Sequence, residues 1–170
     1  MRGNIIAILL IAISLIACDR LPLKQITGPM NFTGKGAGCG NLCMYKFNQD
    51  STLSFYVYLN KDKLKLSSQH KTFNIKDYKN DIRVVVTRYD RSSVNNFCSD
   101  FPSRSKAVPL QSWAAESGTL DITLSSDKDG ESYSVNATFD NLSIHDNVTD
   151  NKLNIPHIAF SDVRGGWFPG

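Results

Sequence analysis

Groups that perform acid–base and nucleophilic chemistry are scarce in this 170-residue chain, which has only three histidines, His70, His145 and His157. A nucleophile needs a base within hydrogen-bond reach and a third group to orient that base. The chain contains neither a G-x-S-x-G elbow nor an H-E-x-x-H pair on which such a set is built. Helical periodicity is missing too; the best stretch is one turn near Ile75, Tyr78 and Ile82. Charge of one sign is also lacking, since 19 Lys and Arg stand against 16 Asp and Glu for a formal net charge of +3, and the basic residues are scattered. No nucleic-acid partner is expected from such a balance. The tightest basic cluster, Lys61-Asp62-Lys63-Leu64-Lys65, follows Asn60 and reads as a solvated turn. Neither nucleotide-binding glycine pattern can be laid on the run Gly34-Lys35-Gly36-Ala37-Gly38-Cys39-Gly40, which reads as a flexible lead-in where backbones approach closely.

A hydrophobic run long enough to span a bilayer is absent as well. Ile5 to Ile16 are apolar except for Ser14, and as a helix rising ~1.5 Å per residue they reach about 18 Å of a hydrocarbon core roughly 30 Å thick. A short basic start, Met1-Arg2-Gly3-Asn4, precedes this run, and Leu15-Ile16-Ala17-Cys18 closes it. A charged start, a short apolar middle and a small residue before the cut mark an export signal. Residues 1 to 19 resemble the signal and lipobox of bacterial lipoproteins. The resemblance implies that residues 1–17 are removed as a signal peptide. It further implies that Cys18 is lipidated, carrying a diacylglyceryl group and often a further fatty acyl chain, such as palmitate, on its freed amine. Each buried methylene of such an anchor contributes ~0.8 kcal/mol, and two or more chains hold firmly. The expected location is the bacterial cell envelope, with the membrane as partner through the lipid. Asp19 implies inner-membrane retention under enteric-type sorting, and the choice of membrane stays open for other lineages.

The remainder is a comfortable single domain of about 150 residues. Residues 18–38, with Pro22, Gly28 and Pro29 before the glycines, read as lipidated cysteine and tether, and 39–170 as the domain. Lipidation of Cys18 leaves Cys39, Cys43 and Cys98, and an oxidising compartment permits one disulfide among them. If the stretch from Cys39 to Cys43 is extended, its ends lie about 13 Å apart, beyond the ~7 Å limit for a bridge. The expected pair is Cys39–Cys98, because Gly38 and Gly40 let the backbone around Cys39 adjust. Cys43, in the apolar run Leu42 to Phe47, then behaves as a small buried side chain. A zinc site from these cysteines and a histidine lacks paired C-x-x-C spacing. No metal or other cofactor is implied.

Two-residue alternation dominates the domain. Leu53, Phe55, Val57 and Leu59 share one strand face, with Ser54, Tyr56 and Tyr58 on the other. Ile82, Val84 and Val86 repeat the pattern, as do Leu120, Ile122 and Leu124. Tyr133, Val135, Ala137 and Phe139 follow a turn at Asp127-Lys128-Asp129-Gly130, so residues 120 to 139 predict a hairpin. The apolar parity switches between Phe139 and Leu142 and again between Ile155 and Ile158. These switches predict a bulge or turn near Asp140-Asn141 and near Pro156. The expected fold is all-β, an antiparallel β-sandwich of seven or more short strands, with a small β-barrel as the alternative.

The site candidates are aromatic. Tyr56 and Tyr58 face away from the apolar stripe of their strand, and together with Trp113 they offer faces that stack on sugar rings or anchor a protein. Tyr89, Phe97 and Phe101 flank Cys98 in a long connection, where binding residues tend to sit. The terminal Trp167-Phe168 reads as a latch into the core. No motif marks a catalytic residue. The carboxylates Asp90, Asp100 and Glu116 are placed in loops, without spacing that selects a pair. Asp127, Asp129 and Glu131 have the glycine and twelfth-position spacing of a turn rather than an EF-hand. His145 and His157 fall late enough to approach each other. The sequence thus predicts a lipid-anchored envelope protein with a non-catalytic binding or structural β-domain, whose partner is an envelope protein or a polysaccharide. A carbohydrate-binding module and a hydrolase with an unmarked carboxylate or histidine site are the alternatives.

Overall fold

The computed structural model describes residues 30–98, 106–126, 132–146 and 148–166. The alternating segments form antiparallel strands: β1 Ala37–Cys39, β2 Cys43–Phe47, β3 Leu53–Leu59, β4 Lys71–Asn74, β5 Ile82–Tyr89, β6 Pro109–Ser126, β7 Ser132–His145 and β8 Lys152–Gly166. They build one eight-stranded sheet in the order β1-β2-β3-β5-β6-β7-β8, with β4 pairing β6 off that path. The expected single helical turn is a 3-10 turn, Ile75–Tyr78, with the Asn74 side chain accepting from the Lys76 amide.

Long strands that bend, rather than many short ones, give the sheet its shape. β6 pairs β5 through residues 109 to 114 and β4 through residues 119 to 122. Between these stretches its register with β7 shifts twice, around Ser117. Gly118 sits in this bend at φ +134°, where a Cβ would lie 2.7 Å from Leu142 Cδ2 and 3.0 Å from its Cα. β7 and β8 bend where the apolar parity switches: Asn141 adopts φ 51°, Phe139 and Leu142 are both buried, and so are Ile155 and Ile158. A further switch, not anticipated, falls at Ser161-Asp162. Phe160 and Val163 both face the core, paired with Ala137 and Val135 across a bulge. Two consecutive polar residues between apolar ones read equally as a bulge or as a turn.

The bends curl the sheet into an open half-barrel whose two limbs face each other in a sandwich-like way, an all-β antiparallel arrangement as the alternation predicts. Phe55 of β3 meets Phe139 of β7 edge-on at 5.6 Å and leans on Phe160 of β8 at 6.0 Å. Leu59, Leu120, Ile122 and Leu142 complete this dry interior. The edges approach along β1 and the end of β8, where the Gly166 amide donates to the Gly40 carbonyl at 3.0 Å. The Tyr133 hydroxyl donates to the same carbonyl. Gly38 permits the approach, since a Cβ there would sit 2.8 Å from the Arg164 carbonyl oxygen and 2.9 Å from that of Cys43.

Three expectations change. The domain does not begin at residue 39: Met30 and Phe32 already pack on the core, with the Phe32 ring edge-on to Phe55 at 5.5 Å. Trp113 is not on an aromatic surface but is 1% exposed, because it pairs with Val86, whose side chain faces inward. Glu116 lies within β6 rather than in a loop. The signal, Cys18, the turn at 127–130, Asp100, Phe101 and the terminal Trp167-Phe168 lie outside the described residues, while the strands flanking that turn do pair, Ser126 against Tyr133.

Candidate functional site

The outward positions of β2, β3 and β5 form a second, more polar surface on the convex side of the sheet. Directly opposed residues of an antiparallel pair point to the same face. The register therefore sets Cys39 beside Cys43, Cys43 beside Tyr58, Tyr45 beside Tyr56, and Tyr58 beside Arg83. Tyr58 is 39% exposed and is the most open aromatic on this surface among the described residues. The segment after β5, with its 3-10 turn Val94–Asn96, then crosses this surface.

Three attachments hold the crossing segment down. Cys39 and Cys98 are joined by a disulfide with Cα atoms 5.9 Å apart. The Phe97 ring stacks on Tyr45 at 4.9 Å, meets Phe47 edge-on at 5.3 Å and leans toward Tyr56 at 6.1 Å. Asn96 both donates to the Ala107 carbonyl and accepts from its amide, each at 2.9 Å, tying the two ends of the connection together.

Between segment and sheet lies a cleft of about 400 Å³, lined by Cys43, Ser54, Tyr56, Arg83, Phe97 and their neighbours. Among the described residues its wall carries one guanidinium, from Arg83, and no carboxylate or histidine. Ser54 is fully buried, and its hydroxyl has no hydrogen-bond partner among the described residues. Such a group costs about 1–3 kcal/mol until something pairs with it. The Tyr56 hydroxyl lies 3.1 Å from Cys43 Sγ. Burial first, and then that hydrogen bond, push the phenol up to about 12, so it stays neutral throughout the physiological range. Cys43 is therefore half-buried against a phenol in the cleft wall, not sequestered as an apolar side chain.

The reason for discounting a Cys39 to Cys43 approach also needs correction. The chain between them is not extended but reverses within Gly40-Asn41-Leu42, with Gly40 at φ 53° and Leu42 at φ 75°, and the two cysteines become direct cross-strand partners.

The other titratable groups lie elsewhere. His145 sits between Glu116 and Asp150, 3.2 and 2.7 Å away, and His157 contacts Asp140 at 2.6 Å. These two histidines do not meet. His157 pairs with Asp140 and His145 lies further along β7, a separation of roughly 16 Å at ~3.3 Å per residue. Asp90 pairs with Arg91 at 2.7 Å and accepts from the Val108 amide. Among the described residues no group of three or more His, Cys, Asp or Glu side chains is arranged to hold a metal ion. Sequence reasoning missed Ser54 and Arg83. Both stand at outward positions of strands whose inward residues were legible, and that parity was the signal available.

In comparisons with known proteins the chain matches no family model, no curated protein and no solved structure.

Proposed function

We propose that this is an exported, lipid-anchored envelope protein whose β-domain binds a polysaccharide segment in the cleft beneath Phe97. The observation that carries the binding reading is the cleft of about 400 Å³ between the crossing segment and the sheet, whose wall presents Tyr56 and Arg83. A sugar offers a ring face to the aromatic side of that wall. Arg83 is the only charged side chain among the described residues of that wall, which favours a saccharide bearing an acidic group. The anchor rests on the lipobox ending at Cys18, and the Cys39–Cys98 disulfide supports export, since such bonds persist in oxidising compartments.

The binding test is a glycan array followed by calorimetry on the detergent-extracted protein. Acidic polysaccharides should bind, and Arg83→Ala and Tyr56→Ala should each weaken binding about tenfold, equivalent to ~1.4 kcal/mol. An array silent to every envelope and host polysaccharide removes the reading. Intact-mass measurement of the extracted protein tests the anchor: the mature mass should include fatty acyl chains, and Cys18→Ser should release the protein from the membrane fraction.

A further inference from the structure

Three sulfurs line the same cleft: the Cys39–Cys98 disulfide and the free thiol of Cys43. Their placement is more specific than proximity. Cys39 and Cys43 are direct partners in the β1–β2 hairpin, and such partners have Cα atoms about 4.5–5.5 Å apart with side chains on one face. That separation falls within the ~4.4–6.8 Å a disulfide requires. Cys39 thus has two neighbours at bridging distance, its present partner Cys98 and the thiol of Cys43.

We propose that Cys43 exchanges with the Cys39–Cys98 disulfide, switching the domain between a form with the Phe97 segment stapled over the cleft and a form with that segment released. In the forward step the Cys43 thiolate attacks Cys39 Sγ, the Cys39–Cys43 bond forms, and the Cys39–Cys98 bond breaks. Cys98 leaves as a thiolate and takes up the proton that Cys43 gave to solvent. One disulfide and one thiol are present before and after, so neither oxidant nor reductant is consumed. The Tyr56 hydroxyl beside Cys43 Sγ is placed to donate to the sulfur as it gains charge. In the product, Cys39 and Cys43 close the tip of their own hairpin, and Phe97 keeps its ring contacts with Tyr45, Phe47, Tyr56 and Tyr89 without the covalent staple. The effect of release on saccharide binding rests on the binding reading above; the exchange itself rests on the sulfurs alone.

The test is differential alkylation and peptide mapping of the purified full-length protein, incubated without redox reagent and quenched with acid. The native protein should yield two isomers, one alkylated at Cys43 and one at Cys98. The Cys98-labelled form should appear over minutes to hours, at a rate independent of protein concentration. That rate should rise as the pH is raised, as attack by thiolate requires. Cys43→Ser should abolish labelling at Cys98. Cys98→Ser, treated with oxidised glutathione, should form the Cys39–Cys43 bond within one chain. Label confined to Cys43 in the native protein after hours at alkaline pH, or a Cys98→Ser protein that forms only mixed disulfides with glutathione, overturns the proposal. Polysaccharide binding by the native protein, measured on the same samples, reports on the cleft separately. Label confined to Cys43 alongside intact binding refutes the switch alone.

Discussion

The two faces of β3 solve the same packing problem by different means. Inward, Phe55, Val57 and Leu59 are fully buried and are covered by the opposite limb of their own sheet, so their stability comes from dense apolar contact. Outward, Ser54, Tyr56 and Tyr58 have no opposing sheet. They are partly covered by one irregular segment held by a disulfide, a ring cluster and Asn96. A continuous core leaves no room for a ligand, whereas a stapled segment on a polar face leaves a cleft. If the proposed binding holds, recognition and stability fall to opposite sides of a seven-residue strand.

Substitutions on each face should separate these roles. The largest effect is expected inward, where Phe55→Ala removes a ring packed on Phe32, Phe139 and Phe160 and should cost about 3–5 kcal/mol in urea unfolding. If it costs less than the outward changes, the division between faces is wrong. Cys39→Ser, which removes the staple and prevents its exchange, should cost about 2–4 kcal/mol, mainly through the unfolded chain. This loss should vanish when the native protein is compared under reducing conditions.

A smaller effect should come from the end of β7, where Asp146 is 1% exposed. Burial pushes its carboxyl up, but hydrogen bonds from the Thr149 hydroxyl, the Gln111 amide and the Val148 backbone together outweigh burial and hold it below the usual carboxylate value. Its contribution is therefore present above the unfolded value of about 3.9 and is lost as pH falls through the lower, folded one. Unfolding midpoints should fall on acidification in the native protein and change less in Asp146→Asn. The smallest change is Tyr56→Phe, which deletes only the hydroxyl beside Cys43 and should cost about 1 kcal/mol or less. A larger loss would show that the outward face bears more of the stability than its exposure suggests.

The inward face was legible because a period of two is visible wherever both alternating sets have side chains that differ in polarity. β3, β5 and the hairpin of β6 and β7 follow it directly, and the parity switches at Asn141 and Pro156 could be read as bends. Around Gly36, Gly38 and Gly40 the signal disappears, since glycine shows no polarity to alternate. The start of β1, Ala37 and Gly38, accordingly reads as tether, and the Cys39 to Cys43 contact is not visible in the sequence. Trp113 shows the converse limit: an aromatic residue carries no mark of which face it occupies, and here the pairing with Val86 decided it. The cleft was half visible, through Tyr56 and the expected Cys39–Cys98 pair. Its roof and its unpaired hydroxyl depend on a crossing that local pattern does not encode.

The contact between Gly40 and Gly166 also orders the steps by which the molecule is made. A growing polypeptide emerging from its ribosome cannot seal this seam until β8 has followed β7, however early β1 and β2 find each other. Until then β7 has only β6 beside it and the Phe139 side of the interior stays wet, so the seam is the last part of the sheet to close.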